Sequence, residues 1–200
     1  MLFALFAAAA YLLGSINPSI IQGRMKGIDI KKEGSGNAGT TNTLRVMGKK
    51  AAVVSLVCDI LKGVVSVLLG SIAGPTCAFV CALACFCGHI WPIYYHFKGG
   101  KGVATCFGAV LAVNWRIAVL CLAVVVVMVL ITKMMSAGSI AGAAALPAVS
   151  YLLEPLFVPF AAAMAVIIII KHRGNIDRIV NGKESKLSFG KNKTGGRSGK

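Results

Sequence analysis

Acidic side chains are scarce in this sequence. Six Asp and Glu stand against 21 Lys and Arg, a formal net charge of +15 over 200 residues. Charged residues of either sign make up 14% of positions, whereas 57% are hydrophobic and the mean hydropathy is +0.81. A soluble domain of this length has no use for so much apolar surface, so the composition describes an integral membrane protein. Also lacking are a metal-ligand spacing and a nucleophile elbow serving a Ser–His–Asp arrangement, so no metal, no cofactor and no covalent intermediate on the protein are expected. The apolar run from Leu2 to Leu13 has no basic start and no cleavage pattern leading into a polar domain, and it reads as a retained span. Seven cysteines (58, 77, 81, 85, 87, 106 and 121) lie in or beside apolar segments. Their odd count and membrane placement argue against a disulfide framework. Cys77, Cys81 and Cys85 fall on one helical stripe and read as small buried hydrophobes.

What is present is a series of apolar spans punctuated by basic, glycine-rich segments. The first span runs from Leu2 to Gln22, with Gly14, Asn17 and Pro18 marking a kink or a close helix contact. Ala51–Ile72 and Thr76–Tyr95 follow, the latter ending in the interfacial aromatics Trp91, Tyr94 and Tyr95. Val103–Ile131 is too long for one upright helix and is read as two, turning at Asn114–Arg116. Ser136–Leu153 and Pro155–Ile170 complete the set. The expected fold is therefore an all-α polytopic membrane protein with about seven transmembrane helices, or five if the late pairs merge. The positive-inside rule places the N-terminus outside and the C-terminus in the cytoplasm, with every basic cluster inside except the single Arg116. The basic charges are first a topology signal, and nucleic acid is not an expected partner. Residues 1–184 read as one transmembrane domain, and 185–200 as a basic, disordered cytoplasmic tail.

Three polar clusters fall on the same side in this layout. The first, Ser35 to Arg45, mixes flexible backbone with hydroxyls, amides and an arginine suited to phosphate oxygens. The second is the stretch GHIWPIYYHFKGGKGVAT, Gly88 to Thr105, where glycines and two lysines precede an apolar run. Glycine-rich turns can present successive N–H groups to an anion, and a helix starting at Val103 would aim its dipole at the same point. A glycine-rich hairpin whose lysines face lipid headgroups is the plainer account of that segment alone. The third cluster is His172-Arg173-Gly174-Asn175-Ile176-Asp177-Arg178 followed by Gly182-Lys183-Glu184, with His172, Asn175 and Arg178 near one helical face. His172 by itself would be an ordinary interfacial histidine.

Together these clusters resemble the bacterial acyl-phosphate:glycerol-3-phosphate acyltransferase family. Its pattern is S-G-N-x-G-x-x-N-x-x-R, then G-H-x-x-P running to F-K-G-G-K-G-V-A-T, then H-R-x-N-I-x-R with a downstream G-x-E. All three motifs stand here in order, along with D-I-L-K-G at Asp59–Gly63, and the likeness spans Tyr11 to Glu184. The segment Met135–Ile140 resembles a weaker family segment of the V-S-L-x-S-I type. The resemblance implies transfer of a fatty acyl group from acyl phosphate to the primary hydroxyl of glycerol 3-phosphate, yielding lysophosphatidic acid and inorganic phosphate. It implies catalytic roles for Ser35, Arg45, Lys101, His172 and Asn175. It implies substrate-binding roles for Asn37, Gly39, Asn42, Lys98, Gly99, Gly100, Gly102, Ser136, Ser139, Arg178 and Glu184. Lys101 would bind phosphate and stabilise leaving-group charge. His172 and Asn175 would position glycerol 3-phosphate or stabilise an oxyanion. Glu184 would hold the third motif together. The implied partners are acyl phosphate, glycerol 3-phosphate and the lipid bilayer, with the acyl-phosphate-producing enzyme a further candidate. The implied location is the inner (plasma) membrane of a bacterium, with the site facing the cytoplasm.

Two other readings compete. A transporter of phosphorylated metabolites would place its site at the bilayer midplane and show internal repeats, whereas these clusters sit at one edge and no repeat is evident. A structural subunit with anionic-lipid patches would leave neutral substitutions without effect. His172 and Asp177 also share the H-x-x-x-x-D spacing of another glycerolipid acyltransferase group, an alternative base pair.

Overall fold

A break in the first apolar stretch introduces the logic of the architecture. The computed structural model describes residues 2–187. Helix α1 (Leu2–Ser15) gives way to α2 (Pro18–Met25) at Asn17, whose side chain accepts a 3.0 Å hydrogen bond from Ile20 N and caps the new helix. Pro18 occupies the first turn, where its missing N–H is not needed. A loop then leads to α3 (Thr40–Ser71), interrupted at Gly48, whose φ of 82° and ψ of −179° suit glycine alone. The apolar stretch expected from Ala51 is the part of α3 beyond that break.

Helix α4 (Pro75–Ile90) returns to the polar end, and a glycine-rich turn carries the chain into α5 (Val103–Val113). Asn114 ends α5 and caps α6 (Trp115–Thr132) by accepting from Arg116 N at 3.1 Å, so the expected turn is present. Then come α7 (Met135–Leu153), α8 (Val158–Lys171) and α9 (Arg173–Val180). No strand occurs among the described residues.

Seven apolar segments thus stand where seven spans were expected. Five are long and apolar enough to cross a bilayer: residues 2–25, α3, 75–95, α6 and α7. Residues 155–180 pass the same test only as a pair, α8 with its lead-in turn and α9, bent by 56° between them. The 11 residues of α5 extend only about 17 Å at 1.5 Å per residue, roughly half the hydrocarbon thickness. Large apolar side chains such as Leu5, Val53, Leu68, Leu130, Leu152 and Val166 are exposed, as a lipid-facing surface requires.

Small residues bring the helices together. A Cβ on Gly88 of α4 would stand 2.9 Å from Ser15 N of α1, and one on Gly63 of α3 would stand 2.7 Å from Ala109 N of α5. Either crossing closes only because no side chain intervenes. The cysteine stripe of α4 is buried against Ala10 of α1, as expected of small hydrophobes. Phe86, Val110, Ile117, Leu146, Phe157 and Met164 fill the main core between α4 and α8.

Candidate active site

The loop between α2 and α3 is shaped by buried amides. Asn42 Nδ2 donates to Ile30 O at 3.1 Å and Glu33 O at 3.0 Å, and its Oδ1 accepts from Ser35 N at 2.8 Å. Asn17 Nδ2 donates to Ala38 O at 3.1 Å. These bonds turn Ser35, Asn37 and Arg45 toward a single cavity of about 530 Å³. The Arg45 guanidinium makes no hydrogen bond or ion pair with any described residue.

The segment before α5 meets the same cavity. The first hydrogen bond of this helix joins Cys106 N to Gly102 O at 2.8 Å, so the N–H groups of Val103, Ala104 and Thr105 have no helical acceptor. Gly102, Val103 and Ala104 line the cavity, and the positive end of the helix dipole faces it. Gly102 has φ +81°, a left-handed value that permits the tight entry into the helix. The neighbouring glycines do something else. Gly99 N and Gly100 N donate at 3.2 Å to Ile90 O and His89 O, so they anchor the turn to the end of α4 and their amides face away from the cavity. Lys98 is exposed outside it.

From α9 and the segment after it comes a carboxylate-centred network. Glu184 Oε1 accepts from Ser136 Oγ and Asn175 Nδ2, both at 2.7 Å, while Oε2 accepts from Arg178 Nε at 2.7 Å. Asn175 Oδ1 in turn accepts from Lys101 Nζ. Four separate pieces of chain are thereby tied around one carboxylate. Burial opposes ionisation of Glu184, but the three hydrogen bonds and the Arg178 charge outweigh it and hold its carboxyl below the ordinary range. Burial, reinforced by Arg178 and Arg45 and opposed by Glu184, pushes Lys101 down to about 8.

His172 terminates α8, and its Nδ1 lies 2.8 Å from Ile168 O. A carbonyl only accepts, so Nδ1 carries the proton and Nε2 is left as an acceptor. Burial and the nearby Lys101 charge lower the ring to about 4, which keeps it neutral at physiological pH. Asp177 is exposed and no hydrogen bond joins it to His172, so the structure supplies no His–Asp base pair.

Ser35, Asn37, Gly39, Asn42, Arg45, Lys101, Gly102, Ser136, Ser139, His172, Asn175 and Glu184 all line the cavity; Lys98, Gly99, Gly100 and Arg178 do not. Asp59 and His89 do line it, although neither was among the candidate residues. The D-I-L-K-G and G-H-x-x-P motifs contained the signal for both. Ser185 and Leu187 also reach the wall, and Leu187 N donates to Lys133 O at 2.7 Å, so the chain stays with the domain past position 184. Of the tail expected at 185–200, residues 188–200 lie outside the described residues. Below the polar rim the walls are apolar. The lining runs along α7 from Ser136 to Leu146, ten residues or about 15 Å, and closes on Val110, Ala118 and Ala143. The chamber is polar and cationic at one end and greasy at the other.

The glycerol-3-phosphate acyltransferase family model matches residues 4–182. The chain is 42% identical over 192 residues to the glycerol-3-phosphate acyltransferase of Thermoanaerobacter sp. (strain X514), covering 94% of this chain and 96% of that protein. It is 41% identical over 197 residues to the enzyme of the same description from Clostridioides difficile (strain 630), covering 92% and 95%. Among solved structures it is similar to PlsY (YgiH), an integral membrane glycerol 3-phosphate acyltransferase. The TM-score is 0.90 to its glycerol 3-phosphate form and 0.87 to its lysophosphatidic acid form, at 32% identity with 94% of this chain and 96% of that one covered.

Proposed function

Because this chain belongs to the glycerol-3-phosphate acyltransferase family, we propose that it transfers a fatty acyl group from acyl phosphate to glycerol 3-phosphate at the cytoplasmic face of a bacterial inner membrane. Lysophosphatidic acid and inorganic phosphate are the products. The observation that carries this reading is the convergence of Arg45, Lys101 and His172, from three distant stretches, on a cavity with a cationic rim and an apolar depth. One substrate is a small phosphate monoester. The other joins a phosphate to an alkyl chain, which the two ends of the chamber match.

The glycerol hydroxyl oxygen attacks the acyl carbonyl carbon, the bond from that carbon to the phosphate oxygen breaks, and the hydroxyl proton leaves with the departing phosphate. Acyl phosphate is already activated, so placement and charge stabilisation can supply the catalysis. Arg45 and Ser35 bind phosphate oxygens of glycerol 3-phosphate. Lys101 and the free amides at the start of α5 take the donor's phosphate and the charge that grows on it. His172 Nε2, a bare acceptor, receives a hydrogen bond from the substrate hydroxyl and aims it. A basicity near 4 does not suit His172 to keeping the proton. Of the two roles considered for His172, this geometry supports hydroxyl positioning. Asn42, Glu184 and Arg178 hold the loops that present these groups, and Gly99 and Gly100 seat the donor loop.

The test is purified protein in lipid nanodiscs with acyl phosphate and labelled glycerol 3-phosphate. Labelled lysophosphatidic acid and stoichiometric phosphate are expected. Equal product from acyl-CoA or acyl carrier protein would overturn the donor assignment.

A further inference from the structure

Three ionisable side chains sit inside α3 and α4, next to the cavity but outside the residues assigned above. Asp59, Lys62 and His89 are 1%, 6% and 3% exposed. Lys62 Nζ donates to Ile16 O at 2.8 Å and stands 2.9 Å from His89 Nδ1. It also lies 2.8 Å from Asp59 Oδ1, pairing the charges without the alignment of a hydrogen bond. An ammonium can only donate, so His89 Nδ1 presents its lone pair to Lys62 and the ring proton is on Nε2. Asp59 Oδ1, 3.2 Å from Nδ1, then faces a second acceptor, which the ammonium between them makes tolerable. With Asp59 negative, Lys62 positive and His89 neutral, the cluster carries no net charge, the arrangement a low-dielectric interior favours.

His89 Nε2 makes no hydrogen bond to any described residue. It faces the turn before α5: a Cβ added to Gly100 would run into it, and His89 lines the cavity. Nε2 opens on the cavity and is not shut away from it, so its proton is available to a ligand oxygen. We infer that His89 is a neutral hydrogen-bond donor to a phosphoryl oxygen in the cavity, with Lys62 and Asp59 as positioning residues that fix its tautomer. The inference rests on the phosphate-binding reading above. It explains why Gly100 must lack a side chain although its own N–H is turned away. It also adds a donor to the site without adding a third positive charge beside Arg45 and Lys101. The competing acceptor is Ala38 O, 2.8 Å from the same Cβ position, which already accepts from Asn17.

The chain has three histidines, so nitrogen-15 NMR of histidine-labelled protein in nanodiscs can resolve His89, assigned with His89→Gln. The expected result is a neutral ring protonated at Nε2 whose resonance moves as inorganic phosphate is added. A cationic ring, the Nδ1-protonated tautomer, or a resonance unmoved by phosphate would overturn the inference; the last is the outcome if Ala38 holds the proton. Kinetics give a second arm. His89→Phe should raise KM for acyl phosphate about tenfold, the loss expected for a bond to a charged acceptor. His89→Gln, whose amide nitrogen reaches the Nε2 position, should recover most of that loss. An unchanged KM in His89→Phe, or no recovery in a folded His89→Gln, would overturn it. The NMR arm needs no turnover, so a wild-type protein inactive with acyl phosphate would sink the donor assignment and still leave the His89 tautomer and its phosphate response measurable.

Discussion

At the scale of single residues, the site depends on which groups hold charge at working pH. Lys101 is pushed down to about 8 chiefly by burial. It is mostly protonated at pH 7, and its charge is lost as pH rises through that value. kcat/KM, which reports the free enzyme, should therefore fall on an alkaline limb centred near pH 8. Lys101→Arg should lower the rate, because a planar fork replaces a point charge, but should remove the limb, because arginine stays protonated. A limb that persists in the arginine variant would place it on another group. Glu184 supports protonation of Lys101, so Glu184→Gln should move the limb to lower pH. The same variant should lower Tm, since Ser136, Asn175 and Arg178 all lose a charged acceptor. An unshifted limb in a folded Glu184→Gln would show that the carboxylate does not reach Lys101. These residues were legible in the sequence as motif members because their types and spacings are particular. Their partnerships were not. That Glu184 would gather Ser136 from 48 positions away depends on how α7 and α9 meet, and no local spacing encodes that.

At the scale of elements, the short helix α5 is the piece the chemistry leans on. Too short to cross the bilayer alone, it delivers free amides to the cavity, and its position is set by packing against α3. A Cβ on Gly108 would fall on the backbone of Ile60, standing 2.8 Å from its Cα. Gly108→Val should therefore force α5 off α3 and cost about 1–3 kcal/mol, the usual range for overpacking. It should appear as a lower Tm together with reduced turnover. An activity loss without a change in Tm would contradict the packing account. Gly100→Leu should act differently: its side chain meets His89 and Ala38 O, so it should raise KM for acyl phosphate. The sequence marked the turn glycines as a place where backbone and ligand would come close; of Gly99, Gly100 and Gly102, only Gly102 lines the cavity. The direction of their amides could not be foreseen, because Gly99 and Gly100 spend them on α4 carbonyls that sequence does not bring near. Hydropathy likewise separated α5 from α6 at Asn114, since an apolar run of 29 residues from Val103 to Ile131 must break somewhere.

At the scale of the whole molecule, the proposed mechanism requires every loop that lines the cavity to lie on one side of the membrane. The loop before α3, the turn before α5, the start of α7 and the α8–α9 bend all contribute to one cavity, which puts them at the same end of the helix bundle. The opposite end carries the Ile72–Gly74 turn and Glu154, and Asn114 meets the same end of α7, its Nδ2 3.5 Å from Leu153 O. The proposal that the cavity end is cytoplasmic rests on charge: Lys31, Lys32, Lys98, Lys171, Arg173 and Lys183 crowd that end, whereas among the described residues Arg116 is the lone basic one at the other. The seven native cysteines all sit within helices, where a membrane-impermeant maleimide has poor access, so single cysteines can be added to the wild-type chain. Lys32→Cys and Lys183→Cys should react only after the inner membrane is opened, and Glu154→Cys and Ala73→Cys should react in intact spheroplasts. The reverse pattern would place the site outside, away from any cytosolic acyl phosphate, and would overturn the proposed donor. Labelling of Lys32→Cys and Lys183→Cys from opposite sides would be more damaging, because no shared cavity could then exist and the mechanism built on it would fail.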